Sequence, residues 1–300
     1  MSSNTLTALS DTLGTARLVG KFANQSPEWH ALRATGIGGS DVGTITRCNP
    51  WSSPFALWAR RTGRIADDAV TSEAAEWGTR LESVVLDKFA EEHPELVVHR
   101  DCGTWRHEDR EWQLANPDAI YQTADGSYGI VEVKTARYED DWADGVPQYY
   151  KTQVNWYAQT FGFKTPIYVV ALFSGSKYRE FLVEPDTFEQ DTNLAEVEKF
   201  RVYLDTDTQP DYDGALSTYS AIREMHPEIE ADAEVELGTL GMYYSLAMDE
   251  YVEAETKLNE MKSRVLDAMG NAKRGLVDDV WIVTRQARAG GTPYLVNKKR

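Results

Sequence analysis

Asn116-Pro117-Asp118 is followed, fourteen residues after the aspartate, by Glu132-Val133-Lys134. Asp118 closes a short turn. Glu132 and Lys134 lie in Gly129-Ile130-Val131-Glu132-Val133-Lys134, whose β-branched residues predict a mostly buried strand. Side chains two apart on a strand leave the same face, so Glu132 and Lys134 project together. Two carboxylates for a hard cation and one ammonium fit metal-dependent phosphodiester hydrolysis and fill a core poorly. That chemistry needs an in-line water, a clamp on the scissile phosphate and help for the leaving 3′ oxygen. Mg²⁺ or Mn²⁺, ideally two ions, supplies all three. Asp118 and Glu132 are the natural bridging ligands, with the Val133 carbonyl beside them. Lys134 would orient the attacking water or stabilise developing negative charge. Glu82, inside a predicted helix, is the third carboxylate and would complete a second metal site. The bland alternative is a surface strand whose Glu–Lys pair is worth little.

These residues need elements to hold them. Ser26 at an N-cap and Pro27 at the first helical position predict a helix ending before Gly36-Ile37-Gly38-Gly39. A short helix follows from Ser40-Asp41, and another over 55–62 after Pro50 and Pro54. Ala74 to Glu92 is a long helix with Trp77, Leu81, Val84, Val85 and Phe89 on its apolar stripe. Short strands are predicted near 97–98, 103–105, 112–115 and 119–121, before the central strand at 129–135. A helix over 147–162, a hairpin of 167–173 with 178–183, and a helix over 188–203 complete an α/β body with a mixed central sheet flanked by helices. Residues 1–25 read as a flexible arm, 26–205 as the catalytic domain and 206–300 as an acidic helical extension. That extension has a long helix over 240–269 and a terminal hairpin.

Composition bounds the rest. Three hundred residues, 42% hydrophobic and 26% charged, suit one large globular domain with an appendage. The apolar run Ile167–Phe173 is too short to cross a bilayer. No secretory segment is visible, and a cytoplasmic location is expected. Cys48 and Cys102 form no CxxC pair, nothing suggests a disulfide framework or a zinc site, and two cysteines cannot supply a four-thiolate iron–sulfur cluster. The net charge of −17 argues against a non-specific nucleic-acid coat protein but not against an enzyme with a confined basic channel. Residues 211–261 carry thirteen acidic side chains against Arg223 and Lys257, a net of −11, leaving −6 for the remainder. This acidic extension is expected to repel DNA and to guide strands or bind a basic partner.

Six ordered blocks carry a family resemblance. They are Trp29-His30-Ala31-Leu32-Arg33, Gly36-Ile37-Gly38-Gly39-Ser40-Asp41, Trp77-Gly78-Thr79-Arg80-Leu81-Glu82, Asn116-Pro117-Asp118, Glu132-Val133-Lys134 and Gln153-Val154-Asn155-Trp156-Tyr157. In order and approximate spacing the chain resembles the YqaJ-like viral recombinase nucleases, the lambda exonuclease family, within the PD-(D/E)XK superfamily. The resemblance implies a restriction-endonuclease-like core and a Mg²⁺-dependent 5′-to-3′ double-strand DNA exonuclease. Its 3′ single strands would pass to a phage single-strand annealing protein, and its copies would form a ring-shaped trimer. It makes Asp118 and Glu132 metal ligands, Lys134 the catalytic lysine, Glu82 a helix-side metal residue and Gln153 the supporting helix glutamine. Arg33 and Ser40 match positions that hold a 5′-terminal phosphate, which a forked guanidinium and a hydroxyl suit physically. The family lysine nine residues before the helix glutamate is Glu73 here, and a serine has become Asn116. Arg80 or Lys151 would then substitute at the phosphate end. An endonuclease or nickase on the same core, or a non-cleaving DNA-end or partner-binding protein, are the alternative readings.

Overall fold

The computed structural model describes residues 9–23, 26–66 and 73–297. In chain order they form β1 (Thr12–Leu13), β2 (Ala16–Gly20), α1 (Pro27–Ala34), α2 (Gly39–Ile45), α3 (Pro54–Arg61), α4 (Glu73–Glu92), β3 (Val97–Arg100) and β4 (Thr104–His107). There follow β5 (Leu114–Ala115), β6 (Ala119–Gln122), β7 (Tyr128–Ala136), α5 (Gln148–Phe161), β8 (Ile167–Phe173), β9 (Lys177–Val183), α6 (Thr187–Asp205) and α7 (Leu216–Met225). The chain ends with α8 (Thr239–Met269), β10 (Arg274–Val277), β11 (Val280–Gln286) and β12 (Tyr294–Asn297). Two compact units divide at Glu228/Ile229.

Local chemistry sets the helix ends. Ser26 Oγ accepts the Trp29 N–H at 3.2 Å and Ser53 Oγ accepts the Ala56 N–H at 3.1 Å, each with Pro at the next position. Gly162, at φ 69°, closes α5 in the left-handed region.

In the first unit a five-stranded sheet runs β3-β6-β7-β8-β9, with β7 and β8 parallel and the other neighbours antiparallel. Its faces bury different residues. Val131, Val133 and Val170 pack with Val85, Leu86 and Phe89 of α4. Ile130, Val169 and Ala171 join Val154, Trp156 and Phe161 of α5 in the larger core. The sheet is therefore covered on both sides, which explains the aliphatic run of β7.

Three expectations change. The stretch read as a flexible arm contains β1 and β2, and β2 pairs with β4 in a second sheet, β1-β2-β4-β5. Leu13 and Ala16 are buried. The intervening Gly14 has φ 55°, and a Cβ there would meet the Phe161 carbonyl oxygen at 2.0 Å. On α4, Trp77 and Val84 are exposed while Leu86 is buried with Val85 and Phe89, so the buried stripe lies one residue round from the expected one. The first unit also runs beyond 205. Thr218 and Ala221 of α7 are buried, Thr218 Oγ1 donates to Ser53 Oγ at 2.7 Å, and Tyr212 packs on Phe55 with ring centres 5.4 Å apart.

The second unit holds α8 and an antiparallel sheet β10-β11-β12, one strand more than the expected hairpin. No helix among the described residues is long and apolar enough to cross a membrane.

Candidate active site

Strand alternation on β7 puts Glu132 on the face of Ile130, toward α5, in parallel register with Val169. Glu132 is 2% exposed, and burying a charge this deeply costs free energy unless neighbours compensate. Lys134 Nζ donates to Glu132 Oε1 at 2.7 Å and to Gln153 Oε1 at 3.1 Å. Gln153 Nε2, from α5, donates to the same Glu132 Oε1 at 2.7 Å and to the Tyr157 hydroxyl at 3.0 Å. The ammonium also lies 4.7 Å from the centre of the Tyr150 ring. Lys134, Glu132 and Gln153 thus form a closed triangle between one strand and one helix. The other carboxylate oxygen, Glu132 Oε2, is buried with no hydrogen-bond partner.

Asp118 stands just before β6, and its Oδ2 accepts the Val133 N–H at 2.7 Å. Loss of solvation, then the charges of Glu132 and Glu82, hold its carboxyl well above the usual carboxylate range. Glu82 is raised by burial, by Glu132 and by Asp101, so this α4 side chain shares the same electrostatic neighbourhood. For Lys134, burial works against the ammonium, but Glu132 and Asp118 outweigh it and raise the pKa. Crowded carboxylates beside a single ammonium leave an excess of negative charge that invites a cation.

Among the described residues no three Asp, Glu, His or Cys side chains close into a metal cage. Mg²⁺ does not need one. It keeps much of its water and commonly takes one or two protein carboxylates, with substrate phosphate oxygens filling the shell. Asp118 and the unpartnered Glu132 Oε2 fit that requirement, with Glu82 in reserve.

A second cluster gathers around α2. Arg33 Nη2 donates to Ser40 Oγ at 2.9 Å, and its guanidinium lies 4.7 Å from the Trp29 ring centre. Asp41, 8% exposed, accepts from the Gly38 N–H at 3.0 Å and pairs with Arg61 at 2.7 Å. Arg61 also donates to the Arg33 carbonyl. Arg33, Arg60 and Arg61 line a cavity of about 380 Å³ with Trp29 and Asp41. α2 meets α5 at Gly39, where a Cβ would lie 2.6 Å from Tyr157 Cε1 and 3.1 Å from Gln153 Cγ.

The structure therefore brings Asp118, Glu132, Val133, Lys134 and Gln153 together, with Glu82 in the same electrostatic neighbourhood and the Arg33–Ser40 pair joining α1 to α2. It does not bring Asn116, Arg80 or Lys151 to the arginine-lined cavity. The Asn116 amide is committed to Thr104, and Arg80 pairs with Glu76 at 2.6 Å one turn away on the exposed face of α4. Lys151 lines a different cavity, rich in acidic residues such as Glu180, Glu184 and Glu189. Glu73 is exposed in the first turn of α4. Tyr157, Asp41 and Arg61 carry no site role in the sequence expectation, although Tyr157 and Asp41 lie within the matching blocks. Only Tyr157 left a usable signal there, one helical turn beyond Gln153 and hence on its face.

Residues 28–164 match the YqaJ-like viral recombinase domain. The uncharacterised protein YqaJ of Bacillus subtilis strain 168 is 28% identical over 259 residues, covering 83% of this chain and 80% of its own length. Protein D345L of African swine fever virus, isolate Tick/Malawi/Lil 20-1/1983, is 25% identical over 156 residues, 43% of this chain and 44% of that protein. Among solved structures, an alkaline exonuclease from Laribacter hongkongensis superposes with a TM-score of 0.51 at 19% identity, covering 61% of this chain and 94% of that one. The mixed sheet flanked by helices thus shares the fold of that enzyme.

Proposed function

We propose, from the match of residues 28–164 to the YqaJ-like viral recombinase domain, that this chain is a Mg²⁺- or Mn²⁺-dependent deoxyribonuclease that resects linear duplex DNA from 5′ ends. The observation that carries the reading is Glu132 Oε2, buried and unpartnered beside the Asp118 carboxylate. Asp118, Glu132 and the Val133 carbonyl would hold one cation, and Glu82 would help hold a second. Bound there, such ions supply Lewis acidity at the phosphate and a more acidic water.

The chain's own groups do the rest. Lys134 is the one cation in the triangle, and its ammonium donates toward the oxygens that gain charge as the phosphodiester breaks. Gln153 fixes both Lys134 and Glu132, so neither can swing away when the substrate arrives. Arg33 and Ser40, backed by Arg60 and Arg61, would hold a terminal phosphate one helix away. The resulting 3′ single strands are the substrate a single-strand annealing protein needs.

Purified protein with Mg²⁺ is expected to release nucleotides from linear duplex and to leave covalently closed circles intact. Nicking or linearisation of the circles would instead favour an endonuclease on the same core. No cleavage of either would leave only an end-binding role. End recognition has its own test. Arg33→Ala should lower kcat/KM on 5′-phosphorylated ends roughly 10- to 100-fold, for loss of a charge-assisted contact worth about 1.5–3 kcal/mol. Ends bearing a 5′ hydroxyl should be little affected. Equal losses on both ends would remove Arg33 from phosphate binding.

A further inference from the structure

The second unit has almost no interior of its own. Among its described residues only Val283 and Thr284 are buried, and α8, 31 residues long, buries none. So little burial does not offset the chain entropy lost on ordering, and the unit gains most from covering its apolar surface. That surface is patterned. Leu240, Tyr244, Ala247 and Tyr251 follow one another at steps of four, three and four. The same alternation continues through Ala254, Leu258, Met261 and Val265, giving an unbroken heptad seam.

The two halves of this seam have opposite shapes. Leu240, Tyr244 and Tyr251 stand 67%, 66% and 61% exposed, an apolar ridge. Leu258, Met261 and Val265 instead form one wall of an open cavity of about 720 Å³, whose other wall includes Val280, Ile282 and Leu295. A ridge and a groove at opposite ends of one helix meet twice when two copies lie antiparallel about a two-fold axis.

The flanking charges select the same arrangement. A parallel pair in register would set Glu250 against Glu255, and Lys257 against Lys262, of the other helix. Like charges at these flanking positions oppose pairing. An antiparallel pair that stacks Tyr251 on Ala254, Ala247 on Leu258, Tyr244 on Met261 and Leu240 on Val265 puts Glu250 beside Lys257 twice. It leaves no like-charged flanking pair.

We propose that α8 pairs antiparallel with α8 of a second copy of this chain, in that register, each ridge filling the other's groove. The interface lies wholly within the second unit and is independent of the nuclease reading and of any ring formed by the catalytic body.

Full-length Cys48→Ser protein, whose remaining Cys102 is buried, carries the test. Ala247→Cys and Leu258→Cys chains, mixed and oxidised, should give a cross-linked dimer on non-reducing gels, and neither variant alone should do so. Glu250→Lys should weaken self-association by sedimentation about tenfold or more, and adding Lys257→Glu should restore it. Cross-linking of Ala247→Cys with itself would mean a parallel pair. No cross-link in the mixture, or indifference to charge reversal, would assign the seam to another partner. Either result overturns the proposal.

Discussion

Asp118→Asn should remove about a thousandfold of nuclease turnover and, at the same time, raise the melting temperature of the metal-free protein. The two effects share one cause. Asp118 and Glu82 sit with little solvation beside Glu132; burial and then like charge, from Glu132 and Glu82 on Asp118 and from Glu132 and Asp101 on Glu82, hold both carboxyls up. In the proposed function such crowding would serve catalysis by attracting a cation, and it would cost stability when the cation is absent. The asparagine carbonyl can still accept the Val133 N–H, so the backbone contact at 2.7 Å survives while the charge goes. Relief of roughly 1 kcal/mol would raise the melting temperature by about 2–4 °C for a unit of this size. Losing a ligand that contributes several kcal/mol of charge stabilisation corresponds to the thousandfold loss. Glu132→Gln should be equally inactive without the gain in stability, because Lys134 loses the anion it rests on. Mg²⁺ or Mn²⁺ should raise the melting temperature of the unsubstituted protein and leave that of Asp118→Asn unchanged. Retained turnover, or a lower melting temperature for Asp118→Asn, would sink this account of the site.

What could be read from residues alone follows the range of the interactions. The shared face of Glu132 and Lys134 is a consequence of strand alternation, a two-residue property, and the 2.7 Å contact between them needs nothing more distant. The start of α1 is written in Ser26 and Pro27 for the same reason. The pairing of β2 with β4 is different, because Ala16 and its strand partner His107 are far apart in the sequence and the neighbourhood of Ala16 carries little periodicity. The buried stripe on α4 lies one residue round from the expected one because aliphatic and aromatic residues surround the helix. Only the sheet decides that Leu86 is covered and Trp77 is not. The support beneath Arg33 is likewise tertiary. An aspartate at the third position of a short helix looks like a cap, and nothing local says that Arg61 of α3 completes its partnership.

Gly39 is where these local and distant features meet, and Gly39→Ala is expected to lower turnover at least tenfold with every proposed catalytic side chain intact. Its added methyl would lie 2.6 Å from Tyr157 Cε1, 2.9 Å from the Gln153 carbonyl oxygen and 3.1 Å from Gln153 Cγ. Two of those atoms belong to α5 side chains in the Glu132 network, and the third is α5 backbone that cannot rotate aside. α2 must therefore move away from α5, or Gln153 must leave Glu132 and Lys134. Overpacking of this kind costs about 1–3 kcal/mol of stability. A shift of α2 would carry Ser40 and the Arg33 partnership away from the carboxylates, so a bound DNA end would no longer align with the reacting phosphate. A displaced Gln153 would free Lys134 instead. The two routes separate by kinetics. Movement of α2 should fall on 5′-phosphorylated ends more than on 5′-hydroxyl ends, whereas loss of the Gln153 bridge should lower kcat on both alike. Gly39→Ala with unsubstituted turnover and stability would show that α2 and α5 have room to spare, and that the approach of the two helices does not set the geometry of the site.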